Sequence, residues 1–272
     1  MKKLILIFIL LLTACASHTV ATPTASLSIP ESTATSTLTP TPSANVLWIS
    51  PAVPDELLTT AKSWGIPIVN DPASASIKFN VASSIFNVAP SAVTVTGQHS
   101  TWIYALVAPF PTVTDGVTSD DLKAAWHGSS SGLFAGRPLW MADSTLAAFT
   151  ALWGAPADGA VTTAPADQLV DDMWKNLPAW GIVPFESLDP KWKVLTVDGQ
   201  SPIHKDFDAT KYPLQITFAL QDNQQSALSL PTSNYDASKL TTIIMTGTTS
   251  LVNAIAYQME VKGIDYPAQD IG

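Results

Sequence analysis

The chain has 272 residues, with 22 acidic side chains against 13 basic ones and a formal net charge of −9. That balance excludes nucleic acid and anionic lipid headgroups as ligands, because both call for clustered lysine and arginine. Arg137 is the only arginine, so a multi-arginine clamp for phosphate or carboxylate is excluded too.

At the amino terminus, Lys2 and Lys3 precede the apolar run Leu4 to Leu12, and Thr13-Ala14-Cys15 follows. The run is too short to span a bilayer, which takes about 20 apolar residues. Basic residues, a short apolar stretch and a small residue before a cysteine are the layout of an export signal. The pattern resembles a bacterial lipoprotein signal, which implies loss of residues 1–14 and acylation of Cys15. The mature chain would then be held to a membrane through its N-terminal lipid. An ordinary secretion signal with a chance cysteine is the alternative. Cys15 is the only cysteine, so no disulfide is expected and the core alone must hold the fold. Residues 16–45 hold 18 Ser, Thr or Pro in 30 positions, with Glu31 as the only acidic or basic charge. Too little apolar surface is present to offset ordering entropy, so residues 15–45 are expected to form a disordered tether. Its reach is roughly 30 Å as a random coil and about 90 Å in polyproline form.

Order is expected from Val46-Leu47-Trp48-Ile49, a short apolar run ended by Ser50-Pro51 that reads as a buried strand. Pro54-Asp55-Glu56 opens a helix, with proline in its first turn and acids at its positive end, closing at Trp64-Gly65. Ile66 to Val69 reads as the next strand, followed by Ser76 to Val81 and Val93 to Thr96. Thr101 to Ala108 (TWIYALVA) is a buried strand stopped at Pro109. Ser119-Asp120-Asp121 caps a helix running to Trp126, with Gly128 as its stop. Pro138 to Met141 is a strand leading into Asp143-Ser144-Thr145, which caps a helix ending at Trp153-Gly154. A helix over Asp167 to Trp174 is followed by strands at Gly181 to Phe185, Lys193 to Val197 and Leu214 to Leu220. This alternation predicts an α/β fold with a largely parallel or mixed sheet. Beyond a polar stretch, Leu240 to Thr246 reads as a strand and Leu251 to Val261 as an amphipathic helix.

Gly128-Ser129-Ser130-Ser131-Gly132 matches G-x-S-x-G, whose serine works at a turn between strand and helix. Here a helix precedes the motif, so a Gly/Ser loop is expected. His99, His127 and His204 lack metal-ligand spacing, and neither a metal nor a cofactor is expected. The nine tryptophans are expected to pack the core and not to form a stacking platform. Ligand contacts are expected instead at helix starts behind strands, from Ser50 after the first strand and from Ser144 and Thr145 after Met141. Hydroxyls there meet free backbone N–H groups and the positive helix end, which favours an anion or polar ligand without arginine. Ordinary N-capping is the alternative use of such residues. Ser201, in the turn Asp198 to Pro202, is a further candidate, with simple chain reversal as its alternative.

Two resemblances extend this reading. Thr101 to Pro111 (TWIYALVAPFP) and Val117 to Gly128 (VTSDDLKAAWHG) are similar to type II periplasmic solute-binding proteins of the phosphate and molybdate kind. The runs Trp180 to Asp198, Gly199 to Pro202 and Tyr212-Pro213-Leu214 resemble that family's return into the first lobe. The resemblance implies two α/β lobes joined by a hinge, with ligand in the cleft between them. Asp143-Ser144-Thr145 stands where the oxyanion binders tend to show a fuller Ser-Gly-Thr element. Leu240 to Gly272 resembles the opening strand and helix of the poly-γ-glutamate capsule-synthesis (CapA-type) family, which has a metallophosphatase fold. That family's strand ends in Gly-Asp, the Asp a metal ligand, whereas Thr248 follows Gly247 here, so no catalytic residue carries over.

The expected product is a lipid-anchored, extracytoplasmic α/β protein with a two-lobed type II periplasmic-binding-protein-like fold. Its domain would span residues 46–238, with lobe 1 at 46–108 and 190–238 and lobe 2 at 109–189. Residues 239–272 would add an incomplete CapA-like strand–helix stub. The expected function is non-enzymatic binding or docking of a small polar or anionic solute, linked to cell-envelope polymer machinery. A truncated or degenerate CapA-type hydrolase and a structural surface lipoprotein are the alternatives.

Overall fold

The computed structural model describes residues 45–83, 98–129, 131–222, 228–243, 254–264 and 266. Cys15, the tether up to residue 44, the strand expected at Val93 to Thr96, Ser130 and Gly247-Thr248 lie outside the described residues.

The first element is β1 (Leu47–Ile49), then α1 (Asp55–Ser63) and β2 (Ile77–Val81). The long β3 (His99–Pro109) is followed by β4 (Gly116–Val117), α2 (Ser119–Trp126) and β5 (Leu139–Met141). Next come α3 (Asp143–Trp153), β6 (Val161–Thr163), α4 (Leu169–Lys175), β7 (Trp180–Pro184) and β8 (Trp192–Val197). The last are β9 (Gln215–Asp222) and α5 (Ala254–Lys262). The fold is mixed α/β, as the alternation of elements predicts. Strands run in the order β1-β2-β9-β3-β7-β5-β6, with β8 also paired to β3 and β4 paired to β8. The β1–β2, β5–β6, β5–β7 and β4–β8 pairs are parallel, and β7, β8 and β9 each pair antiparallel with β3.

One strand serves two half-sheets. Residues His99 to Ile103 of β3 pair with β9, whereas Tyr104 to Val107 pair with β7 and Leu106 to Pro109 with β8. From Trp102 to Pro109 every residue is buried. A strand covered on both faces reads as an unbroken apolar run, which is why TWIYALVA does not alternate.

Alternation along the neighbouring strands divides the second half-sheet between two helices. On one face Leu139, Met141 and Ile182 pack with Ala148 and Phe149 of α3. On the other, Ala105, Val107 and Val183 pack with Leu169 and Met173 of α4. Tyr104 meets Phe149 edge-on, with ring centroids 5.1 Å apart. Trp126, fully buried, donates its indole N–H to the Gly154 carbonyl oxygen at 2.9 Å. Residue Thr118, one position before the expected cap, opens α2 with a reciprocal capping box: its hydroxyl accepts from the Asp121 N–H, and Asp121 accepts from the Thr118 N–H.

Two expected strands differ. Ile66 to Val69 contributes a single parallel bridge, Ile68 to Leu47, because Pro67 has no N–H to extend the ladder. Leu240 to Ile243 forms no regular structure, and Ile243 is 76% exposed. A segment with no partner strand has nothing to satisfy its backbone as a ladder would. α5 lies where a helix is expected, but its apolar side chains do not gather on one face and none of its residues is buried, so it is not the amphipathic helix the sequence suggests.

Gly181 is the tight point of the second half-sheet, because a Cβ there would lie 2.7 Å from the Trp140 carbonyl oxygen and 2.9 Å from Met173 Sδ. The Gly181→Ala variant is therefore expected to lose about 1–3 kcal/mol, the usual range for overpacking. Urea denaturation measures this loss, and an unchanged midpoint would show that the strand pair yields more easily than its geometry implies.

Candidate functional site

The carboxyl ends of parallel strands are where open α/β sheets place their ligands. Here β5, β6 and β7 run parallel, and the segments leaving them converge on one cleft of about 340 Å³. Ala142, Ser144 and Thr145 come from the step between β5 and α3, and Asp167 and Leu169 from the step between β6 and α4. Ile182 to Pro184 and Glu186 come from the end of β7. The start of α1, through Asp55 and Glu56, closes the cleft from the first half-sheet. The volume sits at the low end for ligand sites, which suits a small solute.

The start of α3 is built to need an acceptor. Ala142 occupies the N-cap position and makes no side-chain cap bond, so the N–H groups of the first turn have no partner in the helix. Thr145 lies within that first turn, is 1% exposed, and its hydroxyl has no hydrogen-bond partner. Ser144, half-buried, adds a second hydroxyl to the same wall. The sequence Ala142-Asp143-Ser144-Thr145 thus starts a helix directly off a buried strand while leaving its positive end open toward the cleft.

The lining is also acidic. Asp55, Glu56, Asp167, Glu186 and Asp189 all line the cleft, and no lysine, arginine or histidine does. Glu186 is the best anchored of them. It accepts from the buried Trp102 Nε1 at 2.8 Å and from Asn234 Nδ2 at 2.6 Å. Although the residue remains exposed to the cleft, desolvation of its carboxyl pushes the pKa above the usual glutamate value. The bonds from Asn234 and Trp102 partly offset this, and the charge of Glu56 adds to it. Burial also drives the Tyr104 phenol well above its ordinary value, with the Glu186 charge as the second cause.

Asn234 ties this wall to the junction of the half-sheets. Its side-chain oxygen accepts from the Ile103 N–H at 2.8 Å, and its Nδ2 donates to the Ile103 carbonyl oxygen at 2.9 Å. Ile103 is the last residue of β3 paired with β9, so a side-chain amide completes the strand at the switch point. The Thr101 N–H likewise donates to the Thr232 carbonyl oxygen at 2.9 Å.

Of the hydroxyls singled out from sequence, Ser144 and Thr145 meet in the cleft, and Ser50 and Ser201 are not among its lining residues. Ser50 accepts the Ala52 N–H on its Oγ at 3.2 Å and so shapes the turn between β1 and α1. Ser201 is buried, with an unpartnered hydroxyl, beside the β8–β9 connection. Trp102, Trp126, Trp180 and Trp192 are buried, as core residues should be. Glu186, Asn234 and the cleft acids were not visible as a group in the sequence. The one local signal was that Glu186 directly follows the end of a strand.

The perturbed Glu186 predicts a pH signature. Its folded pKa lies above the unfolded value, so the stabilisation is present below the unfolded pKa and is lost as pH rises through the folded pKa. The Glu186→Gln variant cannot ionise, so it should gain stability relative to wild type as pH rises from about 4 to about 7. Denaturation of both proteins across that range measures the difference. A constant difference would mean that desolvation does not burden the Glu186 charge.

No family model matches the chain, and no curated protein does. Among solved structures the chain is similar to an ABC-type phosphate transport receptor from Vibrio cholerae, at 13% identity and a TM-score of 0.47. That match covers 67% of this chain and 88% of the receptor. A putative phosphate ABC transporter substrate-binding protein with bound phosphate from Clostridium perfringens is similar at 12% identity and TM-score 0.43, covering 67% and 88%. A possible phosphate-binding protein from Planctomyces limnophilus is similar at 10% identity and TM-score 0.42, covering 65% and 81%. The chemistry of the cleft, and not these likenesses, carries the functional reading.

Proposed function

We propose that the chain is a solute-binding protein that takes a small polar solute bearing an acceptor oxygen into the cleft at the carboxyl ends of β5, β6 and β7. The observation that carries this reading is Thr145, whose buried hydroxyl has no partner at the uncapped start of α3. A buried polar group left unpaired costs about 1–3 kcal/mol, so threonine gives the empty fold no advantage there. A ligand oxygen at the first turn of α3 would satisfy this hydroxyl together with the free N–H groups. The half-sheets share β3, which offers a hinge for closing on the ligand.

On this reading the protein works outside the cytoplasmic membrane, tethered by residues 16–45 and a lipid on Cys15. Its part in envelope-polymer assembly rests on the resemblance of residues 240–272 to the capsule-synthesis family. Among the described residues no helix is long and apolar enough to cross a membrane.

The Thr145→Val variant separates binding from folding. Without ligand it should be as stable as wild type or more stable by up to about 2 kcal/mol, because it removes an unpaired group and keeps the shape. Its affinity for the solute that stabilises wild type most, in a thermal-shift panel of phosphate, sulfate, molybdate, sugars and amino acids, should fall at least about tenfold. A variant that loses stability but keeps its affinity would overturn the reading. Cys15→Ser should abolish incorporation of labelled fatty acid into the expressed protein, and labelling that persists would refute the lipid anchor.

A further inference from the structure

The reading of this cleft as the binding site leaves its acidic wall unexplained. An oxyanion on its own would enter a space lined by five carboxylates, with no cationic side chain to offset them. Repulsion at that range in a partly desolvated site opposes the modest attraction of one helix end. Among the described residues none of the five acids forms an ion pair, although Asp189 feels the charge of nearby Lys191. The ion pairs of the described residues use Asp115, Asp171, Asp172, Asp208 and Asp236, none of which lines the cleft. A divalent cation does not fit either, because among the described residues no three acidic, histidine or cysteine side chains converge as a metal site would require.

The two walls therefore make opposite demands within one small volume. The start of α3, with the buried and unpartnered Thr145 hydroxyl, asks for an acceptor. Glu186 and Glu56 both line this volume, and the Glu56 charge adds to the cost of ionising Glu186, so the pair asks for a compact organic cation. Glu186 is held for this by Trp102 and Asn234, which fix both of its oxygens on the cleft wall. We propose that the solute is a zwitterion of the α-amino-acid kind, its carboxylate at the start of α3 and its ammonium between Glu186 and Glu56. This deepens the solute-binding reading and depends on it. Ile182, Val183 and Trp192 add apolar atoms to the lining, which suits a short side chain.

Calorimetric titration of the protein tests the proposal with matched probes. The zwitterions are glycine, L-alanine and L-serine. Their N-acetylated forms keep only the carboxylate, their methyl esters keep only the ammonium, and inorganic phosphate is the oxyanion. The proposal expects at least one zwitterion to bind, with both blocked forms weaker by tenfold or more and phosphate weaker still. It also expects the exposed Glu56→Gln, which should not disturb folding, to weaken the zwitterion severalfold, and Glu186→Gln to weaken it more. Binding of phosphate or an N-acetylated acid in preference would overturn the zwitterion while leaving the cleft as the binding site. Equal binding of the methyl ester would overturn it in favour of a simple cation site. No binding by any probe from a folded sample would overturn the zwitterion, and silence of the sulfate, molybdate and sugar members of the thermal-shift panel as well would overturn the solute-binding reading.

Discussion

The structure depends on a single buried strand that two half-sheets have to share. β3 passes from β9 on one side of the junction to β7 and β8 on the other, and its residues from Trp102 onward are buried. Sharing creates a problem at the switch point, because each backbone group of a buried strand needs a partner. The edge of β3 that β7 serves beyond Ile103 is served before it by Thr232 and by the amide of Asn234. The same Asn234 also holds Glu186, so the junction of the half-sheets and the wall of the cleft are one hydrogen-bonded unit. A force on Glu186 from a ligand would act directly on the strand about which the halves meet.

The cleft itself follows from the parallel trio β5, β6 and β7. Parallel strands need crossover helices, and those helices start where the strands end. α3 starts without a cap and with an unpaired hydroxyl, while α1 brings two acids from the other half. Neither feature stabilises the empty protein. Uncapped N–H groups and clustered like charges are both costs of folding, and a ligand carrying the two complementary groups would remove both.

Parts of this were legible in the sequence because they follow local rules. TWIYALVA reads as a buried strand since burial on both faces removes alternation, and Asp143-Ser144-Thr145 reads as a helix start because it stands behind an apolar run. Ser50 was legible as a helix-start hydroxyl, but its oxygen closes a local turn onto Ala52, the competing use of such residues. Ile66 to Val69 looked like a strand by composition, and the missing N–H of Pro67 limited it to one bridge. The acidic wall was not legible. Glu186 and Asn234 lie 48 residues apart, and Trp102 is 84 residues from Glu186, so only the folded chain brings them together. Periodicity finds faces of helices and strands, and it does not find side chains that meet across a topological switch.

The central claim is that the start of α3 and the Glu186 wall form one ligand site. The most direct measurement is the change in ¹⁵N–¹H shifts of the folded protein as glycine, and separately inorganic phosphate, is titrated in. The account predicts a saturable change with at least one of them, centred on the amides of Asp143, Ser144 and Thr145. For glycine it also predicts a change at the indole N–H of Trp102, which is bonded to Glu186. Saturable changes confined to other parts of the chain, or no change with either probe, would contradict it.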